Sequence, residues 1–158
     1  MEIKCVVTGY LDENCYVLSN NGKCLVVDPG DDYPDIKEAI GDNQVLGVLI
    51  THSHADHIGA LRNFLTKRSI KIFKSSNIDD GMFFDIGDFH FQGFHTPGHS
   101  KDSVTFFFPE ENIMFGSDSV LKSSIQWILG YDDDIVLYPG HYDSTTIGHE
   151  RKNNPYVK

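Results

Sequence analysis

The chain has 158 residues, of which 40% are hydrophobic and 12% aromatic. That is enough to bury one core, too little for two, and unlike a disordered composition. Thirteen basic against 23 acidic side chains give a net charge of -10. This charge excludes nucleic acid or an anionic membrane as the main partner, since both require a basic footprint, whereas bound divalent cations would partly offset it.

The amino-terminal "MEIKCVVTGY" has no apolar signal core, and no apolar run approaches a membrane span. Cys5, Cys15 and Cys24 are odd in number and fall in strand-like segments, which suits reduced thiols. A cytoplasmic location is therefore the expectation.

In chain order, "IKCVVTG", "NCYVLSN" and "KCLVVDPG" read as three short strands, the last ending at Asp28 before Pro29-Gly30. Pro34 to Ile40 reads as a short helix, with Pro in its first turn and Ile36 and Ile40 on one face. "VLGVLI" is a near-continuous apolar run, as in a strand covered on both faces. It leads into "THSHADHIGA", after which Ile58, Leu61 and Leu65 recur at helical spacing, so Asp56 or His57 should open a helix. "KIFKS", "FFDIGDFHFQGFHT", "SVTFFFP" and "NIMFGSD" form four further strand regions, the phenylalanines of "TFFFP" belonging to the core. A helix fits between Ser119 and Leu129, the acidic "YDDDI" reads as a solvated turn, and "DIVLYPGH" is a final strand. Ser144 or Thr145 should cap a closing helix that has Glu150 in its early turns. The pattern is that of a single α/β layered domain over residues 1–158.

The chemistry gathers in four segments. In an extended stretch, side chains two apart face the same way, so His52 and His54 can converge on one ion, while a turn at Ala55 aims Asp56 and His57 at a point nearby. By chance, HxHxDH would occur about 0.002 times in a chain of this composition. "FHTPGHS" supplies His99, "MFGSDS" Asp118 and "LYPGH" His141, each where a short loop leaves an apolar strand. These seven imidazole and carboxylate donors are too many for one tetrahedral ion and suit two ions sharing a carboxylate. Such donors fit zinc first, with iron or manganese as alternatives.

The ordered set "THSHADHIGA", "HTPGHS", "GSDS" and "YPGH" resembles the metallo-β-lactamase superfamily. "NCYVL", "VVDPGDD" and "YPGHYDSTTIGHERKNNPY" are most similar to its small glyoxalase II-like (hydroxyacylglutathione hydrolase-like) members. The resemblance implies a four-layered αβ/βα sandwich with the metals at one edge of two packed sheets. It also implies that His52, His54 and His99 hold one metal, that Asp56, His57 and His141 hold the other, and that Asp118 bridges them. Two departures stand out. Gly116-Ser117-Asp118 replaces the family's usual Thr-Gly-Asp, and only 22 residues separate Asp118 from His141, a segment that ordinarily adds a loop and helix beside the substrate pocket. The helical domain that helps glyoxalase II bind glutathione is also missing from the resemblance.

The expected activity is hydrolysis of a thioester, ester or lactone by a metal-bridging hydroxide, the two ions lowering the pKa of water and polarising the carbonyl. Asp56 would help orient the nucleophile or carry a proton. A small-molecule substrate is the expected partner, and a homodimer is expected if the short segment uncovers apolar sheet. Asp28 is a candidate for orienting a ligand histidine, and Tyr142 for lining the pocket. Thr51 and Ser100 read as ordinary loop and cap residues, His95 as structural, and His90 and His149 as surface groups. Two other readings remain open: a mononuclear iron persulfide dioxygenase using His52, His99 and Asp118, and a metal-binding domain without catalysis.

Overall fold

A computed structural model describes residues 1–118 and 126–157. Among these residues, one sheet holds β1 (Glu2–Thr8), β2 (Glu13–Asn20), β3 (Lys23–Val27), β4 (Gln44–Leu49) and β5 (Lys71–Phe73), in that spatial order. Its first three strands pair antiparallel and its last three parallel. The other sheet runs β11 (Thr145–Thr146), β10 (Val136–Pro139), β9 (Ile113–Gly116), β8 (Val104–Phe108), β7 (Phe89–His95), β6 (Met82–Ile86). Antiparallel steps from β7 through β8 to β9, and a parallel step to β10, make β7, β9 and β10 run the same way. Their carboxyl ends therefore share one edge.

The two sheets are held face to face by an apolar seam. Leu18, Leu25, Leu49 and Phe73 from the first sheet meet Phe91, Phe106, Phe108 and Phe115 from the second. The rings interlock: Phe73 meets Phe91 edge-on at 5.3 Å, and Phe91 stacks on Phe108 at 5.2 Å, geometries that add to plain burial. On the far side of the first sheet, Cys15, Val17, Val26 and Val48 lie under Ile36 and Ile40 of α1 (Tyr33–Ile40) and Phe64 of α3 (Arg62–Leu65). On the far side of the second, Met114 and Leu137 lie under Ile128, in the helical residues 126–128, and Ile147 of α4 (Ile147–Asn153). Helix, sheet, sheet, helix is the four-layered αβ/βα sandwich expected from the sequence. No helix among the described residues is long and apolar enough to cross a membrane.

Three local expectations shift. The helix after "THSHADHIGA" is two short ones, α2 (Ala55–Ile58) and α3, because the Ala60 amide donates to the carbonyls of Pro29 and Gly30 instead of continuing the helical ladder. The break moves the buried face, so Phe64 enters the core while Leu65 is left 59% exposed. The stretch "FFDIGDFHFQGFHT" is a hairpin, β6 and β7, turning at Gly87 with φ +60°. The cap of α4 is Thr146, whose hydroxyl accepts from the His149 amide at 3.1 Å, while Thr145 donates to Glu150 at 2.9 Å. Of the helix expected between Ser119 and Leu129, residues 119–125 lie outside the described ones.

Because Phe91 packs against four other rings, Phe73, Phe84, Phe106 and Phe108, Phe91→Ala should cost about 3–5 kcal/mol of stability in denaturant unfolding. A loss below about 1 kcal/mol would show that the seam is not what holds the sheets together.

Candidate metal centre

The donor residues lie on loops at one edge of the sandwich. β4 delivers Thr51, His52 and His54; α2 carries Asp56 and His57; β7, β9 and β10 lead into His99, Asp118 and His141. The edge is fastened across the two sheets by the Val104 amide on the Thr51 carbonyl and the Asn14 amide on the Gly140 carbonyl, both at 2.7 Å. Tyr16 adds its hydroxyl to the Pro139 carbonyl at 2.6 Å. At Gly140 the backbone passes so close to the His57 ring and the Asp118 carboxylate that a Cβ would collide with both. Only glycine lets this loop reach the cluster.

Two donor sets form there. In the first, Nδ1 of His54 lies 3.0 Å from Nε2 of His52 and 3.1 Å from Nε2 of His99, and Oδ2 of Asp118 lies 3.1 Å from His99 and 3.8 Å from His52. In the second, Oδ2 of Asp56 lies 3.1 Å from Nε2 of His141 and 3.7 Å from Nε2 of His57. Asp118 reaches this set as well, with Oδ1 3.0 Å from His57 and Oδ2 3.7 Å from His141. Donors bound about 2.0–2.1 Å from a tetrahedral ion stand about 3.4 Å from one another, and the observed spacings fall around that value, so each set could hold a metal ion. Nε2 of His57 and Oδ1 of Asp118 are buried 3.0 Å apart with no hydrogen bond between them. Buried polar atoms seldom go without a hydrogen bond, and an imidazole nitrogen beside a carboxylate oxygen is a donor pair that fits a cation.

Behind the donors runs a chain of hydrogen bonds. Asp28, 1% exposed, accepts from the Thr51 amide at 2.7 Å, the Thr51 hydroxyl at 2.5 Å and Nδ1 of His57 at 3.0 Å. With its proton on Asp28, the Thr51 oxygen is left to accept from Nδ1 of His52 at 3.1 Å. Both rings thereby keep their proton on Nδ1 and turn Nε2 to the cluster.

The electrostatics follow. Burial, then the neighbouring His57, push His52 down to about 4, so it is neutral and ready to ligate. Burial alone would lower His57 too, but the carboxylates of Asp118 and Asp28 override it and raise the ring to about 10. Burial would raise Asp118, yet His57 holds it below the ordinary carboxylate range. Glu13, fully buried, is pushed up to about 9 by burial and then by Asp28. It takes the Thr8 hydroxyl on Oε2 at 2.7 Å and holds Oε1 3.6 Å from Nδ1 of His57.

The structure thus brings His52, His54, Asp56, His57, His99, Asp118 and His141 together and sets Asp28 behind His57. Tyr142 lines a surface cleft together with His141; its backbone has φ +70°, its ring is 6.4 Å from that of His141, and the residue is 86% exposed. Thr51 is no ordinary loop residue but the link between Asp28 and His52. Ser100 does act locally, bonding to Asp102 and Ser103, and His95 is a structural tie to Ser75 and Ile78. Glu13 carried one signal, a lone acid at the mouth of the apolar "NCYVL" strand.

Removing the carboxylate with Asp28→Ala, or the hydroxyl with Thr51→Val, should weaken metal binding about 10–100-fold. In the metal-free protein, His57 keeps its proton up to about pH 10. Metal must displace that proton, so affinity should climb with pH through the neutral range and level off above that value. Calorimetry in buffers of differing ionisation heat would register proton release at pH 7; binding without it would contradict the charged state of His57.

Comparison with known proteins places the chain by family and fold. Residues 8–80 match the model of the metallo-beta-lactamase superfamily. The hydroxyacylglutathione hydrolase GloC of Haemophilus influenzae is 24% identical over 208 aligned positions, covering 99% of this chain and 98% of GloC. Since this chain has 158 residues, part of GloC has no counterpart here. The atrochrysone carboxyl ACP thioesterase nsrC of Aspergillus novofumigatus is 34% identical over 125 residues, 70% of this chain but 39% of the thioesterase. The crystal structure of the BLEG-1 B3 metallo-beta-lactamase superposes with a TM-score of 0.89 at 26% identity, over 99% of each chain. By its matched sequence, its two mixed sheets and the placing of its histidines and aspartates, the chain belongs to the metallo-beta-lactamase superfamily.

Proposed function

We propose that the protein is a binuclear metallohydrolase that cleaves a thioester. The observation that carries this reading is two neighbouring donor groups, His52, His54, His99 and Asp118 beside Asp56, His57 and His141, with Asp118 3.1 Å from His99 and 3.0 Å from His57. His52, His54 and His99 would hold one ion, Asp56, His57 and His141 the other, with Asp118 touching both. When bound, such ions supply water of lowered pKa and a Lewis acid for a carbonyl oxygen. Zinc suits the donors best, and iron or manganese fit the same chemistry.

The chain's own groups do the rest. Asp56 presents Oδ2 to His57 and His141, which leaves Oδ1 of this partly exposed side chain to accept a proton and pass it to solvent. Asp28 and Thr51 keep the protons of His57 and His52 on Nδ1, away from the reacting side. The hydrolase GloC and the ACP thioesterase support a thioester as the bond broken.

Purified protein should hold two metal equivalents and turn over a simple acyl thioester. A chelator should abolish turnover and zinc restore it. Asp118→Asn should lower both stoichiometry and kcat, the latter about 100-fold or more. Two metals without turnover would reduce the protein to a binding domain, and one iron with oxygen uptake would replace hydrolysis by oxygenation.

A further inference from the structure

Beside His141 lies a cleft of about 450 Å³ lined by Val7, Leu11, Asp12, Asn14, His141, Tyr142 and Asp143. Its apolar side chains are spread in solvent: Val7 is 57%, Leu11 55% and Tyr142 86% exposed. Scattered exposed apolar groups need no explanation, but a contiguous set around one concavity does. Here His141 both lines the cleft and belongs to the second donor set, so the cleft adjoins that set.

The backbone supplies an independent observation. Tyr142 has φ +70°, a conformation that large side chains avoid. The strain is not repaid by burial, because the ring is in solvent. The loop is tied instead by Asn14, whose side-chain amide donates to the carbonyls of Tyr142 at 2.8 Å and Pro139 at 3.2 Å. Asn14 thus holds the segment in which Tyr142 lines the cleft. The charged groups in the lining, Asp12 and Asp143, are both acidic.

We propose that this cleft is the acyl subsite, taking an uncharged, apolar acyl chain and rejecting one that ends in a carboxylate. The assignment rests on the hydrolase reading for the carbonyl's position. Apolar contact along Val7, Leu11 and Tyr142 rewards chain length, and the two aspartates repel a terminal anion.

The test compares N-acetylcysteamine thioesters from acetyl to octanoyl, together with the succinyl thioester. Acyl length should raise kcat/KM about threefold to fourfold per added methylene until the cleft is full. Succinyl should fall about tenfold below butanoyl, its uncharged counterpart of the same length. Tyr142→Gly and Leu11→Ser should each flatten the dependence on length, whereas Phe83→Ser, on the distant β6 edge, should not. Tyr142→Gly should also raise the melting temperature by about 2–4 °C by relieving the backbone, so a lost length dependence could not be blamed on unfolding. Rates indifferent to length, or a length dependence untouched by both cleft variants, would overturn the subsite.

If no thioester turns over, the hydrolase reading falls by itself, and the cleft is judged by binding. Octanamide titrated into metal-free protein and followed by tyrosine fluorescence should saturate, and should weaken in Tyr142→Gly. Absence of saturable binding would overturn the subsite independently of the metals.

Discussion

Everything at the metal edge depends on the apolar seam between the two sheets. The donors come from both sheets, so no single element can bring them together: His52 to His57 follow β4 of the first, and His99, Asp118 and His141 follow β7, β9 and β10 of the second. Ligand spacings near 3 Å tolerate little sliding between layers. The interlocked rings of Phe73, Phe91, Phe108 and Phe115 fix that relation, because close-packed interiors shift in steps and not smoothly. The Asn14–Gly140 and Thr51–Val104 backbone bonds then pin the rim itself.

Charge sets a second constraint. Glu13, Asp28, Asp56 and Asp118 crowd around five histidines at this edge, in a protein already at -10. Without metal, the structure manages this by keeping His57 charged and Glu13 protonated at neutral pH. Burying these groups has a cost in stability, which hydrogen bonds only partly offset. Cations would let His57 give up its proton and would meet the carboxylates directly. The edge is thus built for a charge that the chain does not itself carry.

Much of this was legible in the sequence. The seven donors could be read because strand alternation and short loops after apolar runs are local patterns, and the fold followed from strand and helix order together with a family-specific spacing of histidines. What stayed hidden depends on contacts between distant segments. Thr51 looks like any residue at a strand end until the fold sets its hydroxyl between Asp28 and His52. Glu13 reads as a surface acid until β2 turns it inward to His57. Leu65 keeps helical spacing in the sequence but loses its place to Phe64, because a loop thirty residues earlier captures the Ala60 amide. Tyr142 does line a cleft beside His141, but its left-handed backbone and its exposure were not readable from the sequence.

The Thr51 hydroxyl has one proton and bonds on both sides, giving it to Asp28 and receiving one from His52, while Asp28 in turn receives from His57. Rings belonging to different donor sets therefore converge on one buried carboxylate, His57 directly and His52 through Thr51. A single side chain steadies both halves of the edge, so whatever displaces Asp28 is felt on both sides at once.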